Sequence, residues 1–323
     1  MAKRPSGAPA GVEELPRRPR VTAPSQVPLD RLRLTVLRRI NGLLAGDHAG
    51  LFPGHGTERG EARPYVPGDD PRHIDWAVTA RTQEPYVRDT ISDHELELWI
   101  VLDTSSSLAF GTGRATKHEV AWSAAGAFAL LASDGGNRVG AVRTTPAANL
   151  TRPLLVPARS GAGHAGVVLT ALRRPPGDGE EGDLEASIEL VRRAARRRGM
   201  AVVISDFLGE PTWERPLRAL SHRHDVIAVE VSDPREISIP DVGLISVVDP
   251  ETGRRRLVDT SNTKVRERYD ELAFERKAEV ANRLANCGAD HLALQTDRDW
   301  VLDFVRFVSA RKTRMLAAGR AGR

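Results

Sequence analysis

Two short polar segments of the chain contain side chains that can bind a cation, and each directly follows a short apolar segment. The first contains Asp103, Ser105 and Ser107 in the pattern D-x-S-x-S, and the second contains Asp206, roughly a hundred residues later. Two carboxylates and two hydroxyls form an all-oxygen ligand set, which suits Mg²⁺, Mn²⁺ or Ca²⁺ better than Zn²⁺. We therefore predict a divalent-cation site at these four residues, with Mg²⁺ as the first choice of ion.

The elements that must position these residues are short strands that alternate with helices. Strands are predicted at 96–102, 139–143, 150–156, 201–204, 226–231 and 291–294, and helices at 112–133, 163–173, 183–198, 211–223, 263–287 and from 299 onward. This alternation indicates a doubly wound, mostly parallel sheet in a three-layer α/β fold. Ligands bind such folds at the carboxyl ends of strands, so the two polar segments meet if their strands are neighbours. Alone, D-x-S-x-S is weak evidence for a metal, because Asp and Ser are also common in turns and at helix N-caps.

Four regions are predicted along the chain. Residues 1–28 are rich in Pro and charge and should be a disordered tail, and apolar residues at helical spacing predict a helix over 29–44. Residues 45–75 are rich in Gly, Pro and Asp and predict a loop with little regular structure, and 244–248 and 255–258 predict an inserted β-hairpin. We expect domain limits of 1–28 for the tail, 29–92 for the N-terminal helix and following segment, 93–310 for the α/β domain and 311–323 for a basic tail.

The composition excludes several classes of protein. Of the 323 residues 40% are apolar and 28% charged, as in soluble globular proteins, and no apolar run approaches the ~20 residues of a membrane helix. A single cysteine, Cys287, excludes an internal disulfide, and no apolar segment follows the basic N-terminus as in a secretory signal. We therefore expect a cytoplasmic protein.

The charge distribution argues against a nucleic-acid-binding domain. The formal net charge is +4, but residues 1–30 carry +2 and residues 311–323 carry +5, which leaves −3 on the rest of the chain. A domain that binds nucleic acid is expected to be basic itself. Only weak contacts of the tails with nucleic acid or an anionic membrane surface are left open.

A longer segment, residues 63–81 (RPYVPGDDPRHIDWAVTAR), resembles the signature of the bacterial "domain of unknown function 58" family. The resemblance extends over about residues 50–310 and includes three shorter matches: Ser205-Asp206-Phe207, residues 249–253, and Thr296-Asp297. That family joins such a segment to a von Willebrand factor A-like domain, in which the two serines of D-x-S-x-S bind a metal directly. The resemblance thus implies a metal-ion-dependent adhesion site at the four residues named above.

The resemblance also implies a function and a partner. It implies a binding protein without catalytic residues, which engages a protein partner through the metal, with a MoxR-type AAA+ ATPase as the usual companion in an assembly or chaperone-like role. A metal-dependent hydrolase that uses the same carboxylates is the alternative. Gly182 stands where such sites have Thr, so the site has one ligand fewer, Glu181 or Asp183 substitutes, or no metal binds. We favour Asp183 as a helix N-cap.

Two further patterns have structural interpretations. Residues 161–166 match G-x-G-x-x-G but lack the strand and acidic residue of a dinucleotide site, so we interpret them as a glycine-rich helix start. Asp69, Asp70 and Asp75 are either a second metal cluster or, as we prefer, members of an ion-pair network that packs residues 63–81 onto the α/β domain. That packing predicts a buried Trp76 and an Arg81 paired with a carboxylate.

Overall fold

The computed structural model describes residues 40, 62–66, 74–88, 96–113, 115–145, 153–176, 182–248 and 255–321. The strands in these residues are β1 (Ala62–Pro64), β2 (Tyr86–Arg88), β3 (Glu97–Leu102), β4 (Arg138–Arg143), β5 (Leu154–Arg159), β6 (Gly199–Ser205), β7 (Asp225–Ser232), β8 (Leu244–Val248), β9 (Arg255–Asp259) and β10 (Asp290–Gln295). The α-helices are α1 (Trp76–Thr82), α2 (Lys117–Asp134), α3 (Ala162–Leu172), α4 (Leu184–Ala194), α5 (Glu214–Ser221), α6 (Pro234–Ile237), α7 (Thr263–Asn286) and α8 (Trp300–Ala321).

Six strands form one sheet in the order β10–β7–β6–β3–β4–β5, in which β5 alone runs antiparallel. Helices α2, α3 and α8 pack on one face, and α4, α5 and α7 pack on the other. Strand β3 is the first strand of this sheet in sequence and lies in its interior; β4 and β5 follow on one side of it, and β6, β7 and β10 on the other. The predicted three-layer, doubly wound α/β fold with a mostly parallel sheet is confirmed.

Strand β3 shows why the core strands have an uninterrupted apolar sequence. Leu98 and Ile100 belong to the core on one face, whereas Trp99 and Val101 belong to the core on the other. Successive side chains of a strand point to opposite faces, and here both faces are covered by helices, so no polar alternation is needed. All six residues of β3 are buried, which places the following residues at a rigid edge.

Helix α2 begins with a capping box, which fixes the position of its first residue at the edge of the sheet that follows β3. The Thr116 hydroxyl accepts a hydrogen bond from the backbone N–H of Glu119, and the Glu119 carboxylate accepts one from the backbone N–H of Thr116. The helix therefore begins at Lys117 rather than at residue 112 as predicted.

The N-terminal segment differs from its prediction. Strand β1 pairs antiparallel with β2, so the region predicted to have little regular structure over residues 45–75 contains a short strand. Helix α1 begins after Asp75, whose Oδ1 accepts hydrogen bonds from the backbone of Ala77 and Val78. The predicted burial of Trp76 is wrong: the side chain is 72% exposed, and none of the α1 residues is buried. Asp69 and Asp70 lie outside the described residues.

The two ends of the chain are described in part. Ile40 is helical and fully buried in the core, and the rest of the helix predicted over 29–44 lies outside the described residues. Helix α8 continues to Ala321, and its buried Arg311 forms ion pairs with Asp225 and Asp290 at the starts of β7 and β10. The domain limit predicted after residue 310 therefore falls inside a helix that is anchored to the sheet.

Candidate functional site

The carboxyl ends of β3 and β6 bring the predicted site residues together. Leu102 is in register with Ile204 in the parallel pair, so Asp103 and Ser205 occupy adjacent positions at the edge of the sheet. The backbone N–H of Asp103 donates to Ile204 O at 2.9 Å, and the Ser205 hydroxyl donates to Asp103 Oδ2 at 2.6 Å. Asp206 follows directly, and all four predicted residues are buried at this edge.

Asp103 accepts hydrogen bonds at both carboxylate oxygens. Its Oδ1 accepts from the backbone N–H of Ser105 at 2.9 Å and from the Thr144 hydroxyl at 3.2 Å, and its Oδ2 accepts from Ser205. Burial and the charge of Asp206 nevertheless raise the pKa of Asp103 from 3.8 to about 6. The environment therefore disfavours the charged carboxylate, a penalty that a nearby cation would relieve.

The two predicted serines face each other. Ser105 is the N-cap of a 3₁₀ turn over Ser106–Ala109, and its Oγ lies 3.0 Å from Ser107 Oγ. Adjacent oxygens of an octahedral Mg²⁺ site, each about 2.1 Å from the ion, lie about 3 Å apart. The separation of the two hydroxyls therefore fits two neighbouring ligands of one ion.

A buried lysine at the same edge was not predicted. Lys117 Nζ lies 2.7 Å from Asp206 Oδ2 and also forms an ion pair with Glu236 Oε1, and the lysine side chain is 0% exposed. Burial lowers the pKa of Lys117, but the charges of Asp206 and Glu236 outweigh it and hold that pKa above its ordinary value. A lysine at the first position of a helix opposes the helix dipole, so a helix start placed at Lys117 would have indicated an acidic partner.

The turn after β6 holds Asp206 in a constrained conformation. Phe207 has a φ of +54°, which is uncommon for a bulky residue. Its N–H donates to the Ser205 hydroxyl at 3.1 Å, and its ring packs edge-on against Trp213 at a centroid distance of 5.0 Å. The backbone N–H of Leu208 donates to Asp206 Oδ1 at 3.3 Å. These hydrogen bonds and the ring contact hold the turn in place, so Asp206 has a defined position at the carboxyl edge of the sheet.

Asp233, which was also not predicted, ties the neighbouring strand ends together. Its carboxylate accepts from the Thr112 backbone and hydroxyl at 2.8 and 2.6 Å, from the Thr296 hydroxyl at 2.5 Å and from the Arg235 backbone at 2.9 Å. Burial raises the pKa of Asp233, but the hydrogen bonds from Thr112 and Thr296 outweigh it and hold that pKa below its ordinary value. Its N–H donates to Glu236 Oε2 at 3.0 Å, so the network reaches Lys117.

The region around Gly182 explains the missing threonine ligand. A Cβ at position 182 would lie 2.5 Å from Asp103 Oδ1 and 2.9 Å from Thr144 Oγ1, so any side chain there would have to displace Asp103 or Thr144. Thr144 supplies the hydroxyl that faces Asp103 instead. Asp183 is the N-cap of α4 and accepts from the backbone N–H of Ala186 at 2.7 Å, as we favoured, and Glu181 lies outside the described residues.

Other sequence patterns have structural roles. Gly161 is the N-cap of α3, with a φ of +100°, so the glycine-rich segment is a helix start as predicted. Within the described residues, no three His, Cys, Asp or Glu side chains cluster as a metal site. A cation at the strand ends would therefore depend on the serine hydroxyls. No helix in the described part of the chain is both long and apolar enough to cross a membrane.

The family model described as "Protein of unknown function DUF58" matches residues 61–279. The chain belongs to this family. Uncharacterised proteins of Mycobacterium bovis and Mycobacterium tuberculosis are 48% identical to it over 293 residues, which cover 90% of both chains. A shorter uncharacterised protein of Mycobacterium avium is 45% identical over 164 residues, which cover 50% of this DUF58 protein and 96% of that relative. The predicted family membership is confirmed.

Two solved structures illustrate the similarity of the chain path to known proteins. The conserved hypothetical protein BatB from Bacteroides thetaiotaomicron aligns with a TM-score of 0.45 at 16% identity and covers 68% of this chain and 99% of that one. A von Willebrand factor type A protein from Catenulispora acidiphila aligns with a TM-score of 0.30 at 15% identity and covers 46% of this chain and 34% of that one. The sheet order and layers described above define the fold without these alignments.

Proposed function

We propose that this DUF58 protein binds a partner protein through a divalent cation held at the carboxyl ends of β3 and β6. The observation that carries the proposal is the convergence of Asp103, Ser105, Ser107 and Asp206 at one buried edge, with the two hydroxyls 3.0 Å apart. The ion would be Mg²⁺, with Mn²⁺ or Ca²⁺ as alternatives.

The residues have distinct parts in this proposal. Ser105 and Ser107 would be direct ligands, while Asp103 and Asp206 supply negative charge directly or through water. When bound, the ion would offer a free coordination position to a carboxylate of the partner. Asp103 is kept from moving by its three hydrogen bonds, so this side of the site is preorganised before any ion arrives.

A projecting apolar region lies at the same edge and supports binding of a protein. We call it the arm: β8, β9 and residues 263–276 of α7. Helix α7 is about 36 Å long, whereas a six-residue strand spans about 20 Å. The buried residues of this helix, Val280 and Leu284, lie near its C-terminal end. Its first half contacts α6, which follows the carboxyl end of β7, and the Tyr269 hydroxyl donates a hydrogen bond to Arg235 O at 3.1 Å, so this half lies at the carboxyl edge of the sheet.

The exposed surface of the arm indicates the chemistry of the partner. Leu244 and Leu257 are 68% and 72% exposed on the hairpin, and Phe274 is 74% exposed on α7. Exposed apolar patches commonly mark protein interfaces. Arg255 and Arg256 are exposed beside Leu257, so a partner surface with apolar residues and acidic neighbours is complementary. The same acidic surface would supply the carboxylate for the cation.

The family resemblance suggests a MoxR-type AAA+ ATPase as this partner. The direct test measures binding of such an ATPase from the same organism to the full chain, in millimolar Mg²⁺ and in EDTA. We expect binding in Mg²⁺, loss in EDTA and loss in Asp103→Ala. Asp134→Ala is the matched control, because Asp134 is exposed at the far end of α2, and it should bind like wild type.

Two results would contradict the proposal. Equal binding in EDTA and Mg²⁺ would remove the cation from the interaction. Mg²⁺-stimulated phosphatase, esterase or nuclease turnover that is lost in Asp103→Ala would instead support the metal-dependent hydrolase.

A further inference from the structure

Lys117 lies at this edge but has no role in the proposed function. Its ammonium group is fully buried between Asp206 and Glu236, at 2.7 Å from Asp206 Oδ2. Lysine is almost never fully buried unless it is paired, and at the first turn of α2 it opposes the helix dipole. Neither helix formation nor core packing accounts for this residue, whereas the two carboxylates do.

The charges of the cluster show what the ammonium group does. Asp103, Asp206 and Glu236 are three carboxylates, and Lys117 compensates one of their charges, so these four residues leave two negative charges uncompensated. Asp206 Oδ2 cannot offer its full charge to an ion while it accepts the hydrogen bond from Lys117 Nζ. The ammonium group and a divalent cation at the serine pair would also repel each other.

Glu236 is placed to control how strongly Lys117 acts on Asp206. Its Oε2 accepts from the Asp233 N–H at 3.0 Å in the capping box of α6, while its Oε1 pairs with Lys117. Part of the ammonium charge is therefore taken up by Glu236, which is the more exposed of the two carboxylates.

We propose that Lys117 is a built-in counter-ion that competes with the divalent cation for Asp206 and thereby sets the cation affinity of the site. This inference rests on the proposed function, because it assumes that the serine pair is where a cation binds. It predicts that the charge of Lys117 lowers cation affinity and that the charge of Glu236 raises it. A purely structural ion pair predicts no such opposite effects.

The test is a titration of the full chain with Mn²⁺. Binding is measured by calorimetry and by the loss of the electron paramagnetic resonance signal of free Mn²⁺. Lys117→Met keeps the length and apolar stem of the side chain but removes its charge. We expect it to bind Mn²⁺ roughly tenfold or more tightly than wild type, because Asp206 is released and the repulsion is removed. Ser105→Ala in the Lys117→Met background should weaken this binding.

Glu236→Gln is the second variant, and it keeps the inference testable if Lys117→Met fails to fold. With Glu236 neutral, Asp206 is the remaining charged partner of Lys117, and the ammonium charge is compensated less. The affinity of the site for Mn²⁺ should therefore fall roughly threefold or more. Tighter binding in Lys117→Met and weaker binding in Glu236→Gln support the inference. Wild-type affinity in either folded variant would overturn it and leave the proposed function intact. If Lys117→Met binds Mn²⁺ and wild type does not, the inference about Lys117 is supported but the cation-dependent function proposed for the native protein is overturned. If neither wild type nor any variant binds Mn²⁺, both the inference and the proposed function are overturned.

Discussion

The strand-end site and the arm depart from ordinary burial in opposite directions. At the site, carboxylates, hydroxyls and an ammonium group are buried; in the arm, leucines and a phenylalanine are exposed. The buried polar groups of the site are satisfied by one another, whereas the apolar groups of the arm face solvent. The site therefore depends on internal contacts, and changes there should alter stability. The arm contributes little to the core, and changes there should alter binding with little effect on stability.

The largest expected contrast is between two aspartates. Asp233→Ala removes the acceptor of four hydrogen bonds, including the cap of α6, and leaves the buried Thr296 hydroxyl unpaired, so it should lower the free energy of unfolding by about 3 kcal/mol. Asp259→Ala in the arm removes an exposed acceptor of Ser261 and should cost less than about 1 kcal/mol. Urea denaturation measures both. Similar losses in the two variants would contradict the contrast.

A pair of phenylalanines extends the comparison to apolar residues. Phe207→Ala removes a buried ring while the strained backbone remains, and it should cost about 3–4 kcal/mol. Phe207→Gly should cost about 1 kcal/mol less than Phe207→Ala, because glycine adopts a positive φ without strain. Phe274→Ala in the arm should change stability by less than about 0.5 kcal/mol. Thermal unfolding of the three variants tests this, and a glycine variant less stable than the alanine variant would argue against strain at Phe207.

Parts of this contrast are visible in the sequence and parts are not. The apolar segments before Asp103 and Asp206 predict strands. Because parallel strands have their carboxyl ends at the same edge of the sheet, both carboxylates are then expected at that edge. Lys117 and Glu236 cannot be paired in this way, because they lie on separate helices and nothing in the sequence links the starts of those two helices. Trp76 shows the opposite error: the expected packing of residues 63–81 onto the α/β domain suggested burial, but the face of α1 that meets solvent cannot be deduced from the sequence of so short a helix. The clash at Gly182 likewise depends on Thr144, which is distant in sequence.

The pH dependence of stability sharpens the account of Asp103. Because its pKa is raised from 3.8 to about 6 in the folded protein, the charged carboxylate destabilises the fold above pH 6, and this penalty disappears as the pH falls below the unfolded-state value. Asp103→Asn removes the penalty and keeps an oxygen for Ser105 and Thr144. Without added metal, it should therefore raise the free energy of unfolding at pH 7.5 by up to about 3 kcal/mol. The gain should vanish near pH 4. A variant less stable than wild type at pH 7.5 would show that the carboxylate is stabilising.

Two exposed leucines of the arm should affect binding far more than stability. The double change Leu244→Ser and Leu257→Ser removes two exposed side chains and should alter the free energy of unfolding by less than about 1 kcal/mol in total. Partner binding should nevertheless weaken, while Mn²⁺ binding stays at the wild-type level. Leu302→Ser, at an exposed position of α8, is the control for loss of a surface leucine. If the control weakens partner binding as much as the double variant, the arm is not the contact.

The most direct test of the central claim is Mn²⁺ titration calorimetry of the metal-free full chain. The variants to compare with wild type are Ser105→Ala/Ser107→Ala and the control Ser106→Ala, which changes the intervening serine of the same turn. We expect one bound ion in wild type and in the control, and an affinity lowered roughly tenfold or more in the double variant. Unchanged binding in the double variant, or no binding by wild type at millimolar Mn²⁺, would contradict a cation site at the ends of β3 and β6.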